Sequence, residues 1–585
     1  MPSDAIYQLV TSGKTVTAAL EADPTKAIDQ IAQQVFPEKP QTAKKSRKVR
    51  MHDEYTKEDL DRAAECGKFP YRPSDLFLKM YTDVLDTLEH GPLKNMVSPP
   101  IMASSGVIPI SVISLIPDIM RYYKDLIINA QHEVFLATNY WEQSWGSHFI
   151  HDAFIELSKR AEGRPNKPVV KLIFDRGNPK QVIKNHQRVG EDQYEALGIP
   201  TKAQVPNIHF EAMNYHRPVV GTFHAKYMII DRRIACISSN NIQDRVNLEL
   251  NLHLEGQIVD AFYDMALLSW AEPMDPPLPL IANPGLRATA TPERDCFEEA
   301  KATKEAMDST SASAIPSHPD DNNDESKQPM TDFTLINAEG FAPFVLHERH
   351  NPVPIVMVNR AAHGTPGHQD VDVPQNVAWL SGIRLAQKSI YIQTPDFNAE
   401  PVVAAILDAC RRDVECRLVV CLGYNDGGEM LPMQGGTNSK VYASMCETLL
   451  KEGKDKRKFL KACWYVAKDR EQPVDASQKE RNCHVKFCCI DNQVVIAGNG
   501  NQDSQSWFHS QEANVMVDSP QHATEWMKAL AHNQHSIEFG EVDEDGFWRD
   551  SNGNVVESSG GTGGPLQVAK GMMNAVARVR GKGGF

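Results

Sequence analysis

The stretch Phe223-His224-Ala225-Lys226-Tyr227-Met228-Ile229-Ile230-Asp231 recurs 260 residues later as Cys483-His484-Val485-Lys486-Phe487-Cys488-Cys489-Ile490-Asp491. Two copies of His-x-Lys-x4-Asp mean that any fold for this chain is a duplicated one. In each copy the residues after the histidine read as a strand, and side chains alternate faces with period two. His224 and Lys226 are therefore expected on one side, as are His484 and Lys486.

Each strand then meets a polar turn (Asp231-Arg232-Arg233; Asp491-Asn492-Gln493) and returns as an apolar run, Ile234 to Ile237 and Val494 to Ala497, the pattern of a hairpin. The return strand ends in small and amide residues, Ser238-Ser239-Asn240-Asn241 and Gly498-Asn499-Gly500-Asn501, suited to wrapping an anion. A carboxylate opens the next strand, Glu249 in the first copy and Glu512 in the second, 25 and 28 residues after the respective histidines. Each half thus supplies a histidine, a lysine, an asparagine and a glutamate.

These blocks resemble the phospholipase D superfamily, whose signature is His-x-Lys-x4-Asp followed by Gly-Ser-x-Asn. Ser238 stands where glycine is usual and Asn499 where serine is usual. The histidine, lysine, aspartate and final asparagine positions match in both copies, so an intact site is expected. The resemblance implies an α/β fold: two similar phospholipase D-like α-β-α sandwich domains packed around one shared active site.

The 585 residues exceed one ordinary core, and 41% hydrophobic and 23% charged residues are globular values. A net charge of −15 weighs against nucleic acid as the partner, since binding many phosphates leaves a basic footprint. Eleven cysteines, several within apolar runs (Cys236, Cys421, Cys488, Cys489), read as reduced buried thiols. No Cys-x2-Cys pair has a partner pair, so zinc is not expected. No signal-peptide pattern and no long apolar window is present, so the expectation is a cytoplasmic, not secreted, protein that can sit peripherally on a membrane.

Five regions are expected along the chain. Residues 1–95 read as a polar helical region, with an amphipathic face at Ala27, Ile28, Ile31 and Val35 and a basic cluster at 44–50. The first phospholipase D-like domain spans 96–285, entered at Pro99-Pro100. Its expected elements are a helix Ser111–Ala130, a strand His132–Thr138, a helix His148–Ala161 and a strand Val169–Asp175, an α/β alternation.

Residues 286–332 carry 11 acidic and 5 basic side chains and almost no aromatic residue, the composition of a disordered linker. The second domain spans 333–545 and repeats the first, Ala386–Thr394 aligning without gaps on Ala130–Thr138. The remainder, 546–585, is a glycine-rich tail. It ends in a basic amphipathic helix, with Leu566, Ala569, Met572, Met573, Val576 and Val579 at helical spacing beside Lys570, Arg578, Arg580 and Lys582. Such a helix can contact an anionic membrane.

Two histidines suit phosphodiester cleavage, because one imidazole attacks phosphorus while the other protonates the leaving oxygen, their roles reversing when water or an alcohol enters. Lys226, Lys486, Asn241 and Asn501 are candidate donors to the non-bridging oxygens, enough that no metal or other cofactor is expected. Glu249 and Glu512 are candidates to fix each ring's tautomer, Glu249 completing the side of His224 and Glu512 that of His484. Asp231 and Asp491, at strand-turn corners, are assigned a structural role, with a cation as a possible partner. The family resemblance implies His224 as nucleophile and His484 as acid, then base; the residues alone leave that open.

His148, His151, Trp141, Trp145, Trp507 and Phe508 are weaker candidates for the cleft, and the pairs Gly427-Gly428 and Gly435-Gly436 suggest a loop at its mouth. The resemblance implies a metal-independent phosphodiesterase that hydrolyses or transphosphatidylates glycerophospholipids through a phosphohistidine intermediate. A cardiolipin synthase-like phosphatidyltransferase and a nuclease are the alternatives, with a non-enzymatic scaffold disfavoured. Both motifs lying in one chain makes a monomer with an intramolecular two-motif site the expected form.

Overall fold

The computed structural model describes residues 2–37, 51–175, 179–243, 245–289, 294–309, 340–424, 435–478 and 481–558. The basic cluster 44–50, the glycine pair at 427–428 and the amphipathic tail segment beyond 558 lie outside these residues.

The strands of the first half are β1 (Ala103–Gly106), β2 (Ile110–Leu115), β3 (Glu133–Thr138), β4 (Val169–Phe174), β5 (His186–Arg188), β6 (His209–Tyr215), β7 (Tyr227–Ile230), β8 (Ile234–Ser238) and β9 (Leu248–Glu255). Those of the second are β10 (Phe344–Leu346), β11 (Val353–Met357), β12 (Ser389–Thr394), β13 (Glu415–Val420), β14 (Leu460–Trp464), β15 (Phe487–Ile490), β16 (Val494–Gly498) and β17 (Asn514–Asp518). They form two sheets, ordered β10-β2-β9-β8-β7-β3-β4-β6-β5 and β1-β11-β17-β16-β15-β12-β13-β14. The inner orders repeat each other strand for strand, as the duplication requires.

The outer edges do not follow the chain. β1, expected with the first half, pairs antiparallel with β11 in the second sheet, and β10, from the second half, pairs antiparallel with β2 in the first. Each half lends a short strand that covers the other's edge, which removes an exposed row of backbone donors and acceptors and interlocks the halves.

Alternation within strands sets the layers. In β3, Val134 and Leu136 face a cluster with the helices Ile116–Ile128 and Trp145–Arg160, whereas Phe135 and Ala137 face a second cluster with the helix Ile258–Trp270. That second cluster runs on without interruption into the second half and the N-terminal helices. Each fully buried Phe or Leu contributes about 1.5–3 kcal/mol by leaving water.

The N-terminal helices are fastened by two buried carboxylates. Asp264 accepts hydrogen bonds from the Thr17 amide and hydroxyl and from the Ser98 amide, and Asp83 accepts from Ser381 in the second half and from Tyr55.

Two elements differ from expectation. Ser111 to Leu115 is strand, not helix: the β-branched run pairs with β9, and the helix begins only at Ile116-Pro117, where proline suits a first turn. Within the acidic stretch, Cys296–Ser309 is helical and docks on the first half, Ala300 being buried and Arg121 donating to the Met307 carbonyl oxygen. The amphipathic face at Ala27, Ile28, Ile31 and Val35 falls on a short helix, Ile28–Val35, separated from the helix Val16–Ala22 by the turn containing Pro24.

Candidate active site

The two motif segments run in extended form into β7 and β15, and each pairs with the glutamate segment of the opposite half. The His224 amide donates to the Gln511 carbonyl at 3.0 Å, and the His484 amide donates to the Leu248 carbonyl at 2.8 Å. This register sets Glu512 beneath His224 and Glu249 beneath His484. His224 Nδ1 lies 2.8 Å from Glu512 Oε2, and His484 Nδ1 lies 3.0 and 3.1 Å from the two Glu249 oxygens. The expected sides are thus exchanged: each glutamate serves the histidine of the other half. The strand order accounts for this. Within one half β8 or β16 stands between the histidine and glutamate strands, about two strand spacings or ~9.5 Å, whereas the histidine segment of one half lies directly beside the glutamate segment of the other.

Lys226 donates to the carbonyl of its own His224 at 2.7 Å, and Lys486 to that of His484 at 2.6 Å. Asn241 and Asn501 are buried, each with a side-chain oxygen that has no hydrogen-bond partner, and the Asn501 amide nitrogen is held by Asp503 at 3.0 Å. Tyr424 covers His484 with its ring centroid 6.2 Å away and the planes 27° apart.

Asp231 accepts from the backbone amides of Gln131, His132 and Glu133 at 2.7–2.9 Å, and Asp491 accepts from Gln387, Lys388 and Ser389 at 2.8–2.9 Å. Their hydrogen-bond partners are thus amide groups at the starts of β3 and β12 rather than a cation. The aspartates pin the motif hairpins to the adjacent strands.

The departures from the usual motif have structural consequences. Ser239 donates to Glu249 Oε2 at 2.5 Å, and the Asn247 amide approaches Oε1 at 3.4 Å. At the position equivalent to Ser239, Asn499 instead spans the seam: its Oδ1 accepts from the Lys226 and Ala513 amides, and its Nδ2 donates to the Lys226 and Ser238 carbonyls. The Oε1 of Glu512 has no hydrogen-bond partner.

The electrostatics follow. Burial drives the Glu512 carboxyl up to about 8, Lys226, the Ser506 hydroxyl and Lys486 only partly opposing it. Burial also acts to raise Glu249, but the His484 ring, Lys486 and the Ser239 hydroxyl outweigh it and hold this carboxyl below its ordinary value. Both imidazoles are lowered, His224 by burial and then by Lys226 and Lys486, and His484 by burial to about 3 although Glu249 opposes the shift. Burial lowers Lys486 to about 8 and takes Lys226 well down. Two lysines and two histidines at close quarters make a cage that a phosphodiester anion would complement.

Trp141 and Trp507 are buried and donate to Leu197 O and Gln502 Oε1, so they anchor loops. His151 lies 3.7 Å from its neighbour Asp152 on the helix that also carries His148. Among the described residues, the group whose ligand atoms lie close enough to hold a metal, His347, His522 and Glu525, sits beside Ser111 on β2. Tyr424, Asp503 and the Ser239–Asn499 contrast were not assigned from sequence. Only the last had a signal there, as the departure at 499.

Comparison with known proteins agrees with this architecture. The family described as "Cardiolipin synthase, PLD-like domain" matches residues 123–264 and 380–533, just over half of the chain. The chain belongs to this family, and is an enzyme of the PLD-like phosphodiesterase and phosphatidyltransferase class.

Among solved structures, a phosphatidylserine synthase of Haemophilus influenzae Rd KW20 is 13% identical, with 83% of this chain and 96% of that one covered and a TM-score of 0.47. The phospholipase D family member Nuc of Salmonella typhimurium is 15% identical over 32% of this chain and 97% of its own (TM-score 0.23). NucT of Helicobacter pylori is 19% identical over 28% and 87% (TM-score 0.20). No curated protein matches the sequence. No helix among the described residues is long and apolar enough to cross a membrane.

Proposed function

We propose that the protein is a phospholipase D-type enzyme that cleaves the phosphodiester of a glycerophospholipid, passing the phosphatidyl group to water or to an alcohol. The observation that carries this is the reciprocal pair of dyads, His224 with Glu512 and His484 with Glu249, above two buried lysines. With Nδ1 engaged by a carboxyl group, Nε2 of each ring is the nitrogen left for chemistry.

In the proposed cycle, the phosphodiester anion entering the site raises His484 from the low value that burial gives it, so that the ring takes up a proton. Neutral His224 then attacks phosphorus through Nε2 while His484 gives that proton to the leaving oxygen, and a P–N bond forms as the P–O bond breaks. His484, now neutral, takes the proton of an incoming water or alcohol. The new P–O bond then displaces His224 and restores both groups. Lys226, Lys486, Asn241 and Asn501 would hold the non-bridging oxygens as charge builds on them. The ionised Glu249 suits His484 to the role of proton carrier, because an imidazolium is stabilised by a carboxylate at 3.0 Å. Both motifs belonging to one chain, a monomer suffices.

The test is a headgroup-release assay on a phospholipid panel with a primary alcohol present. Formation of the phosphatidyl alcohol is the expected result, and cleavage of oligonucleotides alone would sink this reading in favour of a nuclease.

A further inference from the structure

Among the described residues most large apolar side chains are buried, and the two most exposed are adjacent: Val182 is 73% and Ile183 94% exposed. They sit at a turn whose inner residue, Gln181, is buried and donates to Asn185 O and Asn214 Oδ1, so the anchor turns its two neighbours outward. Asn185 O accepts from the His216 amide, which ties this turn to a second one closed by reciprocal hydrogen bonds between Arg217 and Gly221. At the tip of that second turn Val219 is 56% exposed and has φ +76°. A β-branched residue rarely adopts this backbone, and such strain persists where the surroundings impose it. Here they do: Gln505 of the second half donates to the Val220 carbonyl, and Gly364 lies so near Pro218 that a Cβ there would be 2.4 Å from its carbonyl oxygen.

Strand direction places both turns at the catalytic end. β3, β4 and β6 are parallel, and β7 runs against β3, so the loops after Phe174 and Tyr215 emerge where His224 precedes Tyr227. The exposed side chains Lys180, Lys184 and Arg217 flank the apolar tips, Lys184 also pairing with Glu272 at 3.0 Å, so that three cations against one carboxylate leave a local cationic rim on a chain whose net charge is −15.

We propose that this cation-rimmed apolar tip, Val182 and Ile183 with Val219, is the surface by which the enzyme docks on an anionic phospholipid bilayer, an assignment that rests on the phospholipid reading above. Aliphatic tips entering the headgroup region, with lysine and arginine at the anionic surface, are the chemistry that such an interface takes. Docking there would present the seam between the halves, and the histidines within it, to the membrane.

The test uses the full chain and vesicles of equal parts phosphatidylcholine and phosphatidylglycerol. The indole introduced by Ile183→Trp should shift its emission to the blue and be quenched by brominated lipid, relative to wild type. The double variant Val182→Asp/Ile183→Asp should partition onto vesicles about tenfold less or weaker still, while turnover of a monomeric short-chain phospholipid stays within about twofold. Val555→Asp, at an exposed valine elsewhere, should not alter partition.

An unquenched indole, unchanged partition of the double variant, or equal loss of partition and monomeric turnover would overturn the proposal. If wild type cleaves no phospholipid while the indole is quenched, the substrate reading falls and the docking surface stands.

Discussion

His224 Nδ1 lies 2.8 Å from Glu512, 288 residues away in sequence, and His484 Nδ1 lies 3.0 Å from Glu249, 235 residues away. The two contacts are related by the internal duplication, yet they are electrostatically unequal. Glu249 is ionised and holds a serine hydroxyl; Glu512 is pushed up to about 8 by burial and has an oxygen without a partner.

That inequality predicts different responses to the same substitution. A neutral Glu512 is well imitated by glutamine, whose carbonyl accepts the Nδ1–H of His224, so Glu512→Gln should lower kcat by about tenfold or less. Glutamine cannot stabilise an imidazolium as the Glu249 carboxylate does, and Glu249→Gln should lower kcat by about 10²–10⁴-fold. Steady-state kinetics on both variants checks this, and equal losses would refute the inequality.

A pH dependence of stability follows from Glu512. Its carboxyl is raised from 4.5 to about 8 in the folded protein, so over this interval the folded state keeps a proton that the unfolded chain has released. Raising the pH through the interval therefore destabilises the fold, the contribution being complete near pH 4.5 and lost by about pH 8. His484 acts in the opposite sense below its ordinary value of 6.5, its folded value being about 3. Glu133, raised to about 7, and Lys171, lowered to about 7, still contribute between 6.5 and 8, so the glutamate is read in that window as a difference from Glu512→Gln. Thermal unfolding across that window should show wild type losing Tm relative to Glu512→Gln. Parallel curves would mean that Glu512 is ionised.

Asn499 joins the halves through three hydrogen bonds, to the Lys226 amide and carbonyl and the Ser238 carbonyl, and a fourth, from the Ala513 amide, holds it to its own half. Truncation would leave buried backbone groups without partners, each worth about 1–3 kcal/mol when orphaned. Asn499→Ala should therefore destabilise by about 2–4 kcal/mol, water and local relaxation recovering part of the loss. Denaturant unfolding measures it, and a change under about 0.5 kcal/mol, the range of an ordinary surface substitution, would contradict a seam role.

The motif spacing made the membership of the candidate site legible, because His, Lys, Asn and Glu recur at matching offsets around a hairpin whose register the alternation of apolar residues sets. Pairing across halves was not legible, since spacing within one copy says nothing about which segment of the other copy lies alongside it. The same reason hid the exchange of β1 and β10. Ser111 to Leu115 was misread because its apolar residues fit a helical face as well as a buried strand, and only the partner β9 decides between them. Tyr424 and the Val182–Ile183 tip come from loops, where composition carries no register.

Asp231 and Asp491 offer a prediction that separates fold from chemistry. Each carboxylate accepts three backbone amides at the start of a neighbouring strand, with the same offsets in both halves, and neither touches the histidines. Both residues also have positive φ, at +52° and +51°, a conformation that aspartate and asparagine tolerate better than most residues. Replacement by alanine removes the acceptor and puts a less suited residue in that turn. The three amides lie partly toward solvent, where water replaces some of the lost hydrogen bonding, so the expected destabilisation is about 1–3 kcal/mol per site. If the aspartates act through the fold, kcat and KM of the folded fraction of Asp231→Ala should match wild type, whereas Asp231→Asn should recover part of the stability through its remaining carbonyl oxygen. A loss of kcat at unchanged stability would instead make Asp231 a participant in the reaction.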